Sequence, residues 1–281
     1  MIIVENPAEL RQKVAEWKKS DKKIGFVPTM GYLHKGHLAL MREAKIKSDR
    51  VIASIFVNPR QFGPNEDLEK YPRDLDRDSQ MAEGEGIDVL FFPPEKVIYP
   101  EGYQTNISVS NLSKGLCGQS RPGHFDGVAT IVTKLFNLVQ PDIAVFGQKD
   151  YQQLALIRQL TLDLNFNIEI IGHPIVREQD GLAMSSRNRY LTTDDRASAT
   201  CLYRVLQYSK NTIESEKEYP AELLTDEITE ILSKVQGCTV DYIGLVHPIS
   251  LQPVDKVKSG HVLAVAVYFN QSIRLIDNTT L

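Results

Sequence analysis

The sequence predicts an α/β protein: a Rossmann-like, doubly wound parallel sheet followed by a second, smaller α+β domain. Three observations carry that expectation. Apolar runs of strand length alternate with helical spacings through residues 1–175, the pattern of strand-helix-strand units. Most of these runs stop at a proline or glycine followed by polar residues, as strands do where they open into ligand loops. Past Ile175 the order changes to helices and then consecutive strands, which marks residues 176–281 as a separate C-terminal lid domain.

Ile2–Val4 reads as a first strand. The stretch from Pro7 to Trp17 follows as a helix with Leu10, Val14 and Trp17 on one face and Pro7 in its first turn. Lys23–Val27 is a short apolar run ended by Pro28, and a helical spacing begins at Leu38, Met41 and Ala44. Val51–Val57 is almost wholly apolar, as in strands covered on both faces. A polar, turn-rich loop from Asn58 to Asp78 separates it from a helix over Leu75–Glu83. Further strands are expected at Ile87–Phe92, Asp142–Phe146 and Ile168–Ile171. Between the first two of these, Val128, Ile131, Val132, Leu135, Phe136 and Val139 form one wide apolar stripe. A helix packed on the sheet explains it, and a dimer contact is the alternative. In the second domain, helices over 194–211 and 221–235 precede strands at Val240–Val246, Val262–Phe269 and Ile273–Ile276.

Composition narrows the function. A chain of 281 residues with 42% hydrophobic and 24% charged side chains has the make-up of an ordinary globular enzyme. Its net charge of −4 argues against a nucleic-acid binder, which needs a basic surface. No apolar run approaches the roughly 20 residues that span a bilayer, and the start lacks the pattern of a signal peptide, so the cytoplasm is expected. Cys117, Cys201 and Cys238 are odd in number and far apart, neither a disulfide framework nor a zinc pattern, and are read as free thiols.

The chemistry gathers in three segments. Pro28–Leu38 joins a strand to a helix and carries His34 and His37, whose spacing places both imidazoles on one helical face. Free N–H groups at a helix start suit phosphate oxygens, and Gly31 and Gly36 let a ligand approach the main chain. Gly147, Gln148, Lys149 and Asp150 lead into another helix, with a compact positive charge beside its start and Asp150 placed as an N-cap. Met184, Ser185, Ser186 and Arg187 set hydroxyls beside a guanidinium, all donors to phosphate. Together they suggest a triphosphate held between two domains.

Here the chain resembles a known family. His34-Lys35-Gly36-His37 is similar to the His-x-Gly-His signature of the nucleotidylyltransferase superfamily, and Met184–Arg187 resembles its mobile Lys-Met-Ser-Lys-Ser loop. More closely, a series of segments in chain order resembles the pantothenate synthetase (pantoate–β-alanine ligase) family. They are Pro28–Gly31, Ser54–Pro59 with Gln61-Phe62, Tyr71–Arg73, Arg121–Phe125, Gly147–Asp150 with Gln152-Gln153, Asp180-Gly181, Ser185–Asn188 and Arg274–Asn278. The resemblance implies ATP-dependent condensation of (R)-pantoate with β-alanine through pantoyl adenylate, releasing AMP and pyrophosphate.

The resemblance also implies residue roles. ATP contacts fall on Met30, Gly31, Tyr32, Leu33, His34, Lys35, Gly36 and His37, on Gly147, Gln148, Lys149 and Asp150, and on Val176, Met184, Ser185, Ser186 and Arg187. His37, with His34 and Lys149, forms the catalytic set, His37 as proton donor; Gln61 and Gln153 bind pantoate. Mg2+ is expected with ATP. Its protein ligand is left open, because Arg77 interrupts the acidic run Asp74, Asp76, Asp78, of which Asp78 is the candidate. A homodimer is implied as well. Two other readings stand beside the ligase: a nucleotidyltransferase that leaves AMP on its product, and a non-catalytic nucleotide sensor. The two glutamines favour the ligase.

Overall fold

The computed structural model describes residues 1–64 and 66–281; Asn65, in the polar loop after the third strand, lies outside them. In chain order the elements are β1 (Ile2–Val4), α1 (Pro7–Lys19), β2 (Ile24–Thr29), α2 (Lys35–Lys47), β3 (Arg50–Ile55), α3 (Leu75–Gly84), β4 (Val89–Phe91) and the one-turn helices α4 (Glu95–Ile98) and α5 (Cys117–Ser120). Then come α6 (His124–Val139), β5 (Ile143–Gly147), α7 (Tyr151–Asp163), β6 (Glu169–His173), α8 (Thr193–Ser198), α9 (Cys201–Glu216), β7 (Glu218–Pro220), α10 (Ala221–Ser233), β8 (Cys238–Val246), β9 (Lys256–Lys258), β10 (Val262–Phe269) and β11 (Ile273–Thr280). They form two compact units. One comprises residues 1–109, 121–148 and 156–174; the other comprises 110–120, 149–155 and 175–281. Lys149, Asp150 and Gln153 are therefore residues of the second unit.

The first unit holds a six-stranded sheet in the order β1-β4-β3-β2-β5-β6, every pair parallel. Phe26, Val27, Val51, Ile52, Ala53 and Val145 are fully buried, as expected of strands covered on both faces. The order reverses between β2 and β5, the position where doubly wound sheets open a ligand crevice at their carboxyl ends. The apolar stripe predicted over 128–139 belongs to α6, where Val128, Ile131, Val132, Leu135, Phe136 and Val139 are all buried. Phe136 meets Phe26, Phe146 and Phe166 edge to face at 5.6–6.4 Å between ring centres, so this helix is part of the core. Each such ring contributes about 1.5–3 kcal/mol of burial.

The second unit is built on an antiparallel sheet in the order β11-β10-β8. Its central strand, β10, is almost wholly buried, and α9 and α10 set Leu202, Val205, Leu206, Leu224, Ile228 and Leu232 into the same core. The helix expected over 194–211 is two. Thr192 caps α8 through Asp195 N–H, and Asp195 is in turn held by Asn270, whereas α9 is anchored by its own apolar face. The sequence does not predict the short pair β7–β9, because Glu218–Pro220 and Lys256–Lys258 are three residues each, too short for a period to stand out. Among the described residues, no helix is long and apolar enough to cross a membrane.

Candidate active site

The loop between β2 and α2 is shaped by two successive left-handed residues, Gly31 (φ 85°) and Tyr32 (φ 49°). A Cβ on Gly31 would lie 2.8 Å from the Ile55 methyl Cγ2 and 3.2 Å from Asp78 Oδ2, so space and conformation both demand glycine. Thr29 Oγ1 accepts from Gly31 N–H at 3.1 Å and donates to the Ser54 carbonyl at 2.9 Å, tying the loop to β3. The turn aims the next two N–H groups at one buried carboxylate. Asp78 Oδ2 accepts from Tyr32 N–H at 2.6 Å and Oδ1 accepts from Leu33 N–H at 2.7 Å. Burial pushes the Asp78 carboxyl above its usual range, against those N–H groups and the Arg77 guanidinium. Arg77 donates to the Leu33 carbonyl at 2.8 Å and lies over the Tyr32 ring.

Asp78 is thus a clamp on the histidine loop. Each of its carboxylate oxygens accepts one of the two N–H groups that the left-handed turn presents. Among the described residues no group of three His, Cys, Asp or Glu side chains is arranged to hold a metal ion.

The clamp delivers the chain to α2 with His34 as N-cap. His34 Nδ1 accepts from Gly36 N–H at 3.1 Å, and His37 Nδ1 accepts from His34 N–H at 3.4 Å, a capping box built from two imidazoles. The rings stack with centres 4.0 Å apart and planes 28° from parallel. In each neutral ring an accepting Nδ1 leaves the hydrogen on Nε2. The spacing anticipated the shared face; that one imidazole would take a backbone N–H otherwise open to phosphate was not visible in it.

Gln61 closes the short 3-10 turn Pro59–Gln61 that follows β3. Fully buried Asn58 fixes it: Nδ2 donates to Gln61 Oε1 at 2.9 Å and to the Gly127 carbonyl at 3.0 Å, while Oδ1 accepts from Tyr99 Oη at 2.9 Å. With Oε1 committed, the Gln61 amide offers its Nε2 hydrogens. A Cβ on Gly127 would overlap the Arg60 carbonyl, so α6 approaches the turn only through glycine. Arg121 and His124 complete the cradle, donating to the Gln61 carbonyl at 3.0 and 2.7 Å, and Arg121 is paired with Glu66. Tyr99 carries no signal in the sequence, whereas Asn58 and His124 stand within the Ser54–Pro59 and Arg121–Phe125 segments without a role of their own.

In the second unit, Lys149 lies in the 3-10 turn Gln148–Asp150 that runs into α7. The Asn278 amide donates to its carbonyl at 2.7 Å. The preceding residue, buried Asp277, grips Arg177 at 2.6 and 3.0 Å, and Arg177 donates to the Gly181 carbonyl at 2.9 Å. Consecutive residues of β11 therefore anchor both the lysine turn and the hairpin that carries Val176 and Met184. Within that hairpin Met184 N–H donates to the Val176 carbonyl at 3.0 Å, and Gly181, at φ 92°, makes the turn where a Cβ would overlap the Tyr203 ring. Ser185 caps the 3-10 turn Ser186–Tyr190, its Oγ accepting from Arg187 N–H at 3.2 Å. Asn188 fastens the turn to Glu178 and to the Ala183 carbonyl.

Adjacent glutamines on α7 differ sharply. Gln152 is buried and saturated: Oε1 accepts from Cys117 N–H at 3.0 Å and Nε2 donates to the Leu112 and Gly115 carbonyls at 2.8 Å each. Gln153 is half-buried and its amide makes no hydrogen bond within the described residues. A cavity of about 630 Å3 in the second unit, lined by Lys114, Tyr242 and Gln252 among others, includes none of the candidate residues.

The sequence model of the pantoate-beta-alanine ligase family matches residues 2–280. The chain belongs to that family. It is a ligase that joins pantoate to beta-alanine. The pantothenate synthetase of Caldicellulosiruptor saccharolyticus is 51% identical over 278 residues, 99% of this chain and 98% of that one. The pantothenate synthetase of Trichlorobacter lovleyi is 50% identical across 100% of this chain and 99% of its own. Among solved structures, the pantothenate synthetase of Thermus thermophilus superposes with a TM-score of 0.93 at 44% identity, covering 100% and 99% of the two chains. The pantoate-beta-alanine ligase of Francisella tularensis, complexed with beta-gamma ATP and beta-alanine, gives 0.82 at 38% identity, covering 100% and 97%.

Proposed function

We propose that this ligase works in two steps on one set of side chains, with ATP as the activating substrate. A pantoate carboxylate oxygen attacks the α-phosphorus of ATP; the bond to the β-phosphate oxygen breaks, giving pantoyl adenylate and pyrophosphate. The β-alanine amine then attacks the acyl carbon, AMP departs with the bonding pair and the nitrogen gives up a proton to solvent, leaving pantothenate. Adenylation is needed because a free carboxylate has no good leaving group.

The observation that carries the residue assignments is the stacked pair His34/His37 with both Nδ1 atoms turned to backbone N–H groups. Each ring then carries its hydrogen on Nε2, and a donor fixed before the reaction lowers the cost of charge building on phosphate oxygens. His37, with His34, stabilises the departing pyrophosphate, and Lys149 supplies a full positive charge. Ser185, Ser186 and Arg187 supply hydroxyl and guanidinium donors to phosphate. Gln61, through Nε2, and Gln153, whose amide is uncommitted, read the hydroxyl and carboxylate of pantoate. The ligands in the Francisella tularensis structure, beta-gamma ATP and beta-alanine, support ATP and β-alanine as substrates here.

Mg2+ brought in with the nucleotide would offset the charge of the phosphates, and Asp78 is the carboxylate of the acidic run that would hold it. Residues 1–175 act as the nucleotide-binding domain and 176–281 as the lid domain, with 110–120 and 149–155 packing in the second unit. The protein works as a cytoplasmic homodimer, for which sedimentation at twice the chain mass is the check.

The deciding experiment is pantoate-dependent exchange between ATP and pyrophosphate, followed by AMP release on adding β-alanine. Both should occur. No exchange would remove the adenylate mechanism, and exchange without amide product would make the protein a nucleotidyltransferase. Omitting Mg2+ should abolish exchange; exchange undiminished without it would remove the metal from the reaction.

A further inference from the structure

Cys201 and Cys238, unconnected by any sequence pattern, meet in the second unit. Cys201 is the first residue of α9 and is fully buried; Cys238 is the first residue of β8 and is partly exposed. Cys201 belongs to the apolar core against which Cys238 packs, and the two thiols are near enough to influence each other's ionisation. The backbone on either side is tied down. Asn270 N–H donates to the Gly237 carbonyl at 3.1 Å, the Asn270 amide donates to Asp195 Oδ2 at 2.5 Å, and a Cβ on Gly237 would stand 3.5 Å from Asp195 Oδ1. The segment leading into Cys238 is thereby fixed to α8, the helix just before Cys201.

We propose that Cys201 and Cys238 are a redox-modifiable pair that closes into an internal disulfide when a low-molecular-weight disulfide is the oxidant. The two sulfurs have unequal roles. The neighbouring Cys201 thiol holds Cys238 below the usual thiol range, whereas that pairing, with burial, drives Cys201 well above it. A partly exposed, thiolate-prone cysteine beside a buried partner is the arrangement of an attacking and a resolving thiol. Cys117, the third cysteine, is buried elsewhere in this unit, its N–H bonded to Gln152.

The exchange balances without any further reagent. The Cys238 thiolate attacks one sulfur of the small disulfide and expels its other half as a thiolate. Once Cys238 is a mixed disulfide it no longer carries the negative charge that kept Cys201 protonated. Cys201 then loses its proton to solvent and attacks Cys238 Sγ, expelling the second small thiolate. In sum, two cysteine thiols and one disulfide become one protein disulfide and two small thiols.

The test treats the full chain with oxidised glutathione and maps the non-reduced digest by mass spectrometry. The expected product is a cross-link between the Cys201 and Cys238 peptides, lighter by two hydrogens and reversed by dithiothreitol, with Cys117 unmodified. In Cys201→Ser the expected product is a stable glutathione adduct on Cys238, and in Cys238→Ser modification of Cys201 should slow by about tenfold or more. Wild-type protein that accumulates glutathione on Cys238 without the cross-link, or that reacts first at Cys117 or not at all, would overturn the proposal. Because the wild-type mass decides it, a variant that folds poorly does not rescue it.

Discussion

At the scale of single residues, neighbouring side chains of one chemical type have opposite duties. Replacing Gln152 by Ala strips partners from the Leu112 and Gly115 carbonyls and the Cys117 N–H, and should cost about 2–4 kcal/mol of stability by denaturant unfolding. Replacing Gln153 by Ala should leave stability within about 0.5 kcal/mol and raise the KM for pantoate more than that for ATP. Equal loss for both substrates would detach Gln153 from pantoate. His37→Ala should slow pyrophosphate exchange by about 100- to 1000-fold. Its stability should fall by only about 0.5–1 kcal/mol, the value of a weak cap, since the hydrogen bond to His34 N–H is long at 3.4 Å. Near-normal exchange in that variant would take His37 out of the chemistry.

At the scale of elements, the site depends on how closely one element approaches another. Helix α6 reaches the Pro59–Gln61 turn at Gly127, and any Cβ there meets the Arg60 carbonyl. Gly127→Ala should therefore displace the turn, destabilise by about 1–3 kcal/mol and raise the KM for pantoate, while a variant at the open position Gly84 should do neither. Thermal unfolding with initial-rate kinetics on both variants is the check, and an unchanged pantoate KM in Gly127→Ala would show that Gln61 is not positioned by this contact. The motifs Asp180-Gly181 and Arg274–Asn278 find their reasons at this scale too. Gly181 turns a hairpin against the Tyr203 ring, and Asp277 and Asn278 fasten that hairpin and the Lys149 turn to one strand.

At the scale of the whole molecule, stability toward acid is linked to Asp88, which joins β3 to the end of α2. Burial raises this carboxyl, but the Val51 N–H, Arg50 and Lys45 together outweigh it and hold the group below its usual range. A carboxyl whose folded pKa is depressed adds stability above its unfolded value, about 3.9, and loses it as pH falls through the lower folded value. Asp88→Asn should accordingly cost about 1–2 kcal/mol at pH 7, a modest figure because Arg50 and Lys45 remain partly in solvent. The gap between wild type and variant should narrow below about pH 3.9. A gap independent of pH, measured by urea unfolding from pH 2 to 7, would show that the ionised form is not what matters.

The sequence by itself determined the alternation of strands and helices, the change of pattern near Ile175 and the loops that carry His34, His37, Lys149 and Ser185–Arg187. Those features are local: apolar period, proline and glycine stops and residue type over a few positions. Tertiary structure alone decided which side chains hold those loops in place. Asp78 clamps Tyr32 and Leu33, Asn58 ties the Gln61 turn to Gly127, Asp277 grips Arg177, and Cys238 meets Cys201, each across a long stretch of chain. A buried carboxylate, amide or thiol looks the same in sequence whether it faces a ligand or a backbone N–H. Only folding supplies the partner, and the free-energy cost of leaving a buried polar group without one makes that partner's identity decisive.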